Sequence, residues 1–138
     1  EGGSVFTWGR GAFGRLGHND EHDRLVPTQL QSVVLGGAKA VMVAAGYQHT
    51  VAILSDGTLW AWGDGAYGQL GLGRDILTGP QLVPARVGAE EVFGDWLLMA
   101  ACGDFYTLAV TEEGILWAFG QGAHGVLGLN DMLDRLVP

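Results

Sequence analysis

One segment, a short aromatic stretch that runs into closely spaced glycines, occurs three times in this chain of 138 residues. It reads VFTWGRGAFGRLG, then LWAWGDGAYGQLG, then LWAFGQGAHGVLG. The glycine after the aromatic stretch is Gly9, Gly63 and Gly120, so the copies are 54 and then 57 residues apart. A repeat of this length predicts a fold in which one supersecondary unit is stacked on the next.

Two further markers keep the same register. RLVP, QLVP and RLVP begin at Arg24, Gln81 and Arg135, with spacings of 57 and then 54 residues. The three residues by which the longer spacing exceeds the shorter one are therefore expected in one loop, within Gly73–Gln81. VMVAAG and LMAACG, which begin at Val41 and Leu98, are again 57 residues apart.

Each copy predicts four short strands joined by hairpins. In the second copy the strands are VMVAA, TVAIL, TLWAW and LVPARV. Asp56-Gly57, like Glu113-Gly114 in the next copy, is a tight-turn signal because glycine accepts a positive φ. Pro84 suits an edge strand because it has no N–H to give to a neighbour. TVAIL is apolar on both faces, which indicates a sheet covered on both sides.

These features predict an all-β fold: blades of four antiparallel strands in a β-propeller. Residues 1–27 are expected to be the C-terminal part of one blade, 28–84 a full repeat and 85–138 a nearly full one. About two and a half blades do not close a ring, which typically needs about 4 to 8. We therefore expect the remaining blades in a longer parent chain, or self-association of copies.

The stretch AAGYQHTVAILSDGTLWAWGDGAYGQLGLG resembles the repeat of the regulator of chromosome condensation family. That repeat is roughly AAG-x-x-H-T-x-x-L-x-x-D-G-x-L-x-x-W-G-x-N-x-x-G-Q-L-G. The resemblance covers essentially the whole chain and implies a seven-bladed propeller. Departures are Phe119 at the position of Trp8 and Trp62, Cys102 in place of an alanine, and Tyr106 in place of the histidine at His49.

The net charge of −8, with seven scattered Lys and Arg residues, does not predict direct binding to nucleic acid, which needs a concentrated basic face. No apolar run is long enough to predict a membrane span. A single cysteine gives no internal disulfide. An intracellular setting, cytoplasmic or nuclear, is expected.

The sequence predicts no cofactor. Gly63, Gly65 and Gly68 fit G-x-G-x-x-G, but neither a βαβ context nor a Walker lysine accompanies them. They are interpreted as turns and close backbone approaches between blades, with Leu70 and its equivalents in the core.

Catalytic and metal sites are not predicted either. His18 and His22 have zinc-ligand spacing but lie in a polar loop without further ligands, and Cys102 is expected to be a buried, inert thiol. Asp95 and the Glu90-Glu91 pair are interpreted as solvated.

The ultraviolet-photoreceptor branch of the family resembles this chain in fold and uses clustered tryptophans, some of them within G-W-R-H-T motifs. Here the matching positions read GYQHT and GDFYT. Trp60, Trp62 and Trp117 are therefore interpreted as packing residues between blades.

The candidate partner-binding residues follow each AAG or ACG and are expected on one propeller face. They are Tyr47, Gln48, His49, Asp104, Phe105 and Tyr106. By resemblance, acidic and histidine residues of such loops contribute to the GTPase contact of the family member that exchanges nucleotide on Ran. A hydrogen bond across the blade is the alternative role for His49.

The predicted function is a non-enzymatic protein-interaction scaffold. Two alternatives rest on the resemblance: a guanine-nucleotide exchange factor for a Ran-like small GTPase, and a regulatory propeller of a larger ubiquitin ligase or kinase.

Overall fold

The computed structural model describes residues 2–73, 79–88 and 93–138, and within them the regular structure consists of β-strands and short 3-10 turns. The prediction of an all-β fold is confirmed. The strands are β1 Phe6–Gly9, β2 Arg24–Gln29, β3 Ala40–Ala45, β4 His49–Leu54, β5 Leu59–Gly63, β6 Gln81–Arg86, β7 Leu97–Cys102, β8 Tyr106–Thr111 and β9 Leu116–Gly120. The 3-10 turns are Ala12–Gly14, Ser32–Leu35 and Ala123–Gly125.

The strands form three antiparallel sheets, which we call the first, second and third blades. The first pairs β1 with β2, the second has the order β3-β4-β5-β6, and the third has the order β7-β8-β9. An isolated bridge between Gly120 and Arg135 occupies the place that the Gly63–Gln81 pair occupies in the second blade. Among the described residues, the predicted four-stranded antiparallel blade is thus observed in full once.

The predicted repeat boundaries lie close to strand ends. The divisions after residues 27 and 84 fall two residues before the ends of β2 and β6, and the division into repeats stays a prediction. Most of the loop expected to hold the three-residue insertion, residues 74–78, lies outside the described residues, as does the Glu90-Glu91 pair.

The two predicted hairpins are confirmed. β4 turns into β5 through Asp56-Gly57, and β8 turns into β9 through Glu113-Gly114, with φ of 78° at Gly57 and 83° at Gly114. The Asp56 carboxylate also accepts hydrogen bonds from the N–H of Thr58 at 3.1 Å and from its hydroxyl at 2.7 Å. Both hairpins lie at the same end of their blades.

The second blade is covered on both faces, as the apolar pattern of β4 predicts. Ala52 and Leu54 belong to a core cluster that includes Val5 of the first blade's segment. Val51 and Ile53, which alternate with them, belong to a second cluster shared with the third blade. Burying a Val, Leu or Ile side chain contributes about 1.5 to 3 kcal/mol, so the two clusters hold the blades together.

Apolar side chains are exposed in the first blade and after the third. Trp62 of the second blade has no exposed surface, whereas 59% of Trp8 at the same position of the first blade is exposed. Leu25 in the first blade and Met132 after the third are also exposed. These are surfaces of the kind that a neighbouring blade covers in a propeller.

No helix among the described residues has the length and apolar character needed to cross a membrane.

Candidate interaction face

The β3–β4 and β7–β8 turns lie at the end of the sheets opposite the hairpins, together with the glycine-rich segments that follow β1, β5 and β9. The register shows this, since His49 pairs with Gly63 and Tyr106 pairs with Gly120. Asp64 N donates to the Gln48 carbonyl at 2.8 Å, which ties the turn to the segment after β5. We call this end of the sheets the loop face.

His49 is buried at the junction of the second and third blades, with 1% of its surface exposed. The Thr107 hydroxyl donates to the Gln69 carbonyl at 2.7 Å, so its oxygen is left as the acceptor for His49 Nε2 at 3.0 Å. The imidazole is therefore the neutral Nε2–H tautomer. This chain of hydrogen bonds runs from the second blade to the third and back.

The other nitrogen of this ring, His49 Nδ1, is buried and has no hydrogen-bond partner among the described residues. Burial lowers the pKa of His49 from its ordinary 6.5 to about 4. Protonation would place an N–H and a positive charge where no described group can accept them. A hydrogen bond, the alternative role considered for His49, is observed, but it joins two blades and does not run across one blade.

The glycine of each AAG or ACG motif makes room for the ring that follows. A Cβ on Gly46 would overlap the His49 imidazole and approach the Gly103 carbonyl oxygen to 2.5 Å. A Cβ on Gly103 would overlap the ring of Tyr106, which takes the place of His49 in the third blade. Glycine is needed here for the close approach.

Related hydrogen bonds connect the first and second blades. Thr50, the equivalent of Thr107, donates to the Arg15 carbonyl at 2.9 Å, and Trp62 Nε1 donates to the same oxygen at 3.0 Å. Phe119 replaces Trp62 in the third blade and has no N–H to donate; it packs instead against Gly71. Packing between blades, predicted for the tryptophans, is confirmed for Trp62.

Three aromatic side chains meet on the loop face where the second and third blades join. The rings of Tyr47 and Phe105 are 5.9 Å apart at 79°, and those of Tyr67 and Phe105 are 5.2 Å apart at 60°. Tyr47 is 55% exposed and Tyr67 38%, with Phe105 half-buried between them. Asp104 beside them is exposed, and its carbonyl accepts a hydrogen bond from Tyr47 N at 3.4 Å. We call Tyr47, Phe105 and Tyr67 the aromatic cluster.

Arg15 extends this surface toward the first blade. Its guanidinium lies 5.9 Å from the ring centroids of both Phe13 and Tyr47, and Nη1 donates to the Tyr47 carbonyl at 2.7 Å. Burial, followed by the charge of Arg10, lowers the pKa of Arg15. Arg15 remains a cation, since arginine cannot be deprotonated in proteins.

The six candidate partner-binding residues predicted from the sequence thus differ in accessibility. The loop face brings Tyr47, Asp104 and Phe105 together; Gln48 and Tyr106 are half-buried, and His49 is enclosed. Their partner-binding role stays a prediction.

Sequence reasoning missed Phe13, Arg15 and Tyr67. Phe13, Tyr67 and His124 occupy the same repeat position, the x of the recurring G-A-x-G. Phe13 and His124 also adopt left-handed backbone conformations, with φ of 62° and 59°. The signal that the sequence offered is this variable position, which holds Phe, Tyr and His before a repeated glycine. The left-handed backbone of Phe13 and His124 is visible only in the structure, where such strain is common at functional sites.

The residues considered as metal ligands or as a nucleophile do not form a reactive site among the described residues. His18 Nε2 lies 2.9 Å from the Thr7 hydroxyl, and His22 is exposed beside Asp20. No group of three or more His, Cys, Asp or Glu residues suited to a metal ion occurs within residues 2–73, 79–88 and 93–138. Burial raises the pKa of the Cys102 thiol to about 12, so the nucleophilic thiolate is disfavoured.

Residues 2–53 and 56–110 match a family model described as the regulator of chromosome condensation (RCC1) repeat, and residues 41–69 match a second model of the same description. Among curated relatives, the ultraviolet-B receptor UVR8 of Arabidopsis thaliana is 42% identical over 136 residues, 99% of this chain and 29% of the relative. The probable E3 ubiquitin-protein ligase HERC4 of Mus musculus is 39% identical over 137 residues, 99% of this chain and 12% of the ligase. The chain thus spans less than a third of these relatives.

Two solved structures share the fold over nearly all of this chain. Human WBSCR16 superposes with a TM-score of 0.83 and 29% identity over 99% of this chain and 33% of its own. Prp20p of Saccharomyces cerevisiae, whose structure is described together with its binding to Gsp1p and histones, superposes with a TM-score of 0.84 and 23% identity over 98% of this chain and 33% of its own. The expected propeller fold is confirmed.

Proposed function

Because this chain belongs to the regulator of chromosome condensation (RCC1) repeat family, we propose that it is part of a β-propeller that serves as a non-enzymatic protein-interaction scaffold, with the loop face as its contact surface. The observation that carries the proposal is the aromatic cluster. Tyr47 and Tyr67 expose ring surface beside the half-buried Phe105. Exposed aromatic residues on turns held by a rigid scaffold are typical of protein-interaction sites.

The state of the most reactive side chains supports a scaffold. The Nε2–H of His49 is engaged by Thr107 inside the blade junction, and a buried Cys102 with a raised pKa is a poor nucleophile. His49 is buried under the β3–β4 turn, whereas Tyr47 and Asp104 are exposed and can contact a partner.

A guanine-nucleotide exchange factor for a Ran-like GTPase is the second candidate, and Prp20p, described as binding Gsp1p, belongs to the same fold. We favour it less because the histidine carried over by resemblance, His49, is enclosed, and Gln48 and Phe105 are not acidic. Release of fluorescent GDP from Ran tests it; acceleration by the intact protein would establish exchange activity.

A regulatory propeller in a larger enzyme is the third candidate, since the HERC4 ligase is a relative. The scaffold proposal is compatible with it, because a propeller domain can position a partner for a separate catalytic domain. Light sensing is not proposed, since Tyr47 and Gln48 stand where the photoreceptor motif has Trp and Arg.

Site-specific photo-crosslinking tests the scaffold proposal. A photoreactive phenylalanine analogue replaces Tyr47 in the intact protein in its own cells. The matched control replaces Trp96, which is also 55% exposed but lies at the hairpin end. We expect a defined protein adduct from position 47 that position 96 does not give. The same adducts from both positions, or adducts from position 96 alone, would overturn the proposal.

A further inference from the structure

We propose that the aromatic cluster and Asp104 accept a lysine or arginine side chain from a basic segment of a partner protein. The inference rests on the proposed function and names the chemistry of the contact: a cation on the ring faces, with a carboxylate beside it.

The ring geometry is suited to a cation. The planes of Tyr47 and Phe105 are 79° apart, and those of Tyr67 and Phe105 are 60° apart, so each exposed tyrosine ring is inclined to Phe105. Each ring face carries negative potential, and a lysine or arginine within about 6 Å of a ring centroid is attracted to it.

The chain already makes this contact once on the same face. The guanidinium of Arg15 lies 5.9 Å from the Phe13 and Tyr47 rings. No such cation lies over Phe105 or Tyr67 within the part of the chain that the structure describes. Tyr67, which is 38% exposed, is therefore the ring of the cluster that a cation from a partner can reach without displacing Arg15.

Charge complementarity selects a basic segment as the occupant. The chain has a net charge of −8. The exposed carboxylate of Asp104 makes no hydrogen bond or ion pair with any described residue, whereas the Asp64 carboxylate accepts from Gln69 Nε2 at 3.0 Å. An exposed carboxylate on the residue that precedes Phe105 adds attraction for a cation, and the overall negative charge accelerates its encounter.

Fluorescence anisotropy of the intact protein with a labelled peptide, three copies of Gly-Arg-Gly-Ser, tests the inference. A peptide with citrulline at each arginine position keeps the shape without the charge. Tyr67→Leu removes a ring face, whereas Tyr67→Phe retains it. Asp104→Asn removes one negative charge, and Glu113→Gln removes one from the exposed hairpin at the other end of the blade.

We expect the arginine peptide to bind and the citrulline peptide not to. Tyr67→Leu should weaken binding roughly three- to fivefold, in line with a cation–π contact at a surface. Asp104→Asn should weaken it roughly two- to fivefold, in line with an exposed ion pair. Tyr67→Phe should retain most of the affinity because the ring face remains, and Glu113→Gln should leave affinity unchanged.

Equal binding of the citrulline peptide, equal effects of Asp104→Asn and Glu113→Gln, or no binding of the arginine peptide would overturn the inference. Its failure is separable from that of the scaffold proposal. Suppose that position 47 gives a specific adduct but the Tyr67→Leu and Asp104→Asn proteins bind the arginine peptide with unaltered affinity. The loop face would then still be an interaction surface, and the inference of a basic occupant would be wrong.

Discussion

The stability of the junction between the second and third blades should depend on pH through His49. Its folded pKa is about 4 and its ordinary value 6.5, so the unfolded state binds a proton more readily. The stabilisation from the neutral ring is present above about pH 6.5, is lost as pH falls through 6.5 toward 4, and levels off below. The change is 2.5 pKa units, and at roughly 1.4 kcal/mol per unit it amounts to about 3 kcal/mol.

Urea unfolding of the wild type and His49→Gln at about pH 7 and about pH 4 measures this term. The glutamine amide can still donate a hydrogen bond to Thr107 but does not titrate in this range. The free energy of unfolding of the wild type should therefore fall by about 3 kcal/mol more than that of the variant between the two pH values. Carboxylates common to both proteins cancel in the comparison.

If the free energies of unfolding of the wild type and His49→Gln depended on pH identically, His49 would not be the buried, neutral hydrogen-bond donor described above. Nuclear magnetic resonance of the wild-type imidazole gives the same answer independently of the variant's stability. The Nε2–H tautomer should persist at about pH 5, whereas an imidazolium at that pH would contradict it.

Two further substitutions test the same junction by urea unfolding. Thr107→Val leaves one buried carbonyl and the His49 N–H without partners and should cost about 2 to 4 kcal/mol. Thr50→Val, whose acceptor carbonyl keeps a tryptophan N–H, should cost only about 1 kcal/mol, and equal losses would contradict this assignment. Gly46→Ala drives a methyl group into the imidazole and should cost at least about 2 kcal/mol. Gly2→Ala, whose Cβ meets Ser4 Oγ at 3.8 Å, should be nearly neutral; a neutral Gly46→Ala would remove the close-approach argument.

The fold was predictable because its determinants are local and repeated. The Asp56-Gly57 turn, the apolar pattern of β4 and the markers in register each specify a strand or hairpin without knowledge of distant contacts. The role of His49 was less accessible, since its acceptor Thr107 lies 58 residues away in the next blade. A pattern can show that a histidine recurs in a motif, but not whether the next blade encloses it.

The aromatic cluster illustrates a second limit. Tyr67 lies in the glycine-rich segment interpreted as turns and close backbone approaches between blades, and its equivalents at this repeat position are a phenylalanine and a histidine. Its contact with Phe105 depends on the arrangement of two adjacent blades, which spacing along the chain does not specify. The candidate residues could therefore be placed on a common face in advance, but their division into exposed and enclosed side chains could not.

Hydrogen exchange of the intact protein, with and without the partner captured at position 47, tests the central claim most directly. The account predicts slowed exchange of backbone amides in the two loop-face turns, residues 46–49 and 103–106, and no change at the Asp56-Gly57 and Glu113-Gly114 hairpins. Slowed exchange at the hairpins with unaltered loop-face turns would contradict the claim that the loop face is the interaction surface.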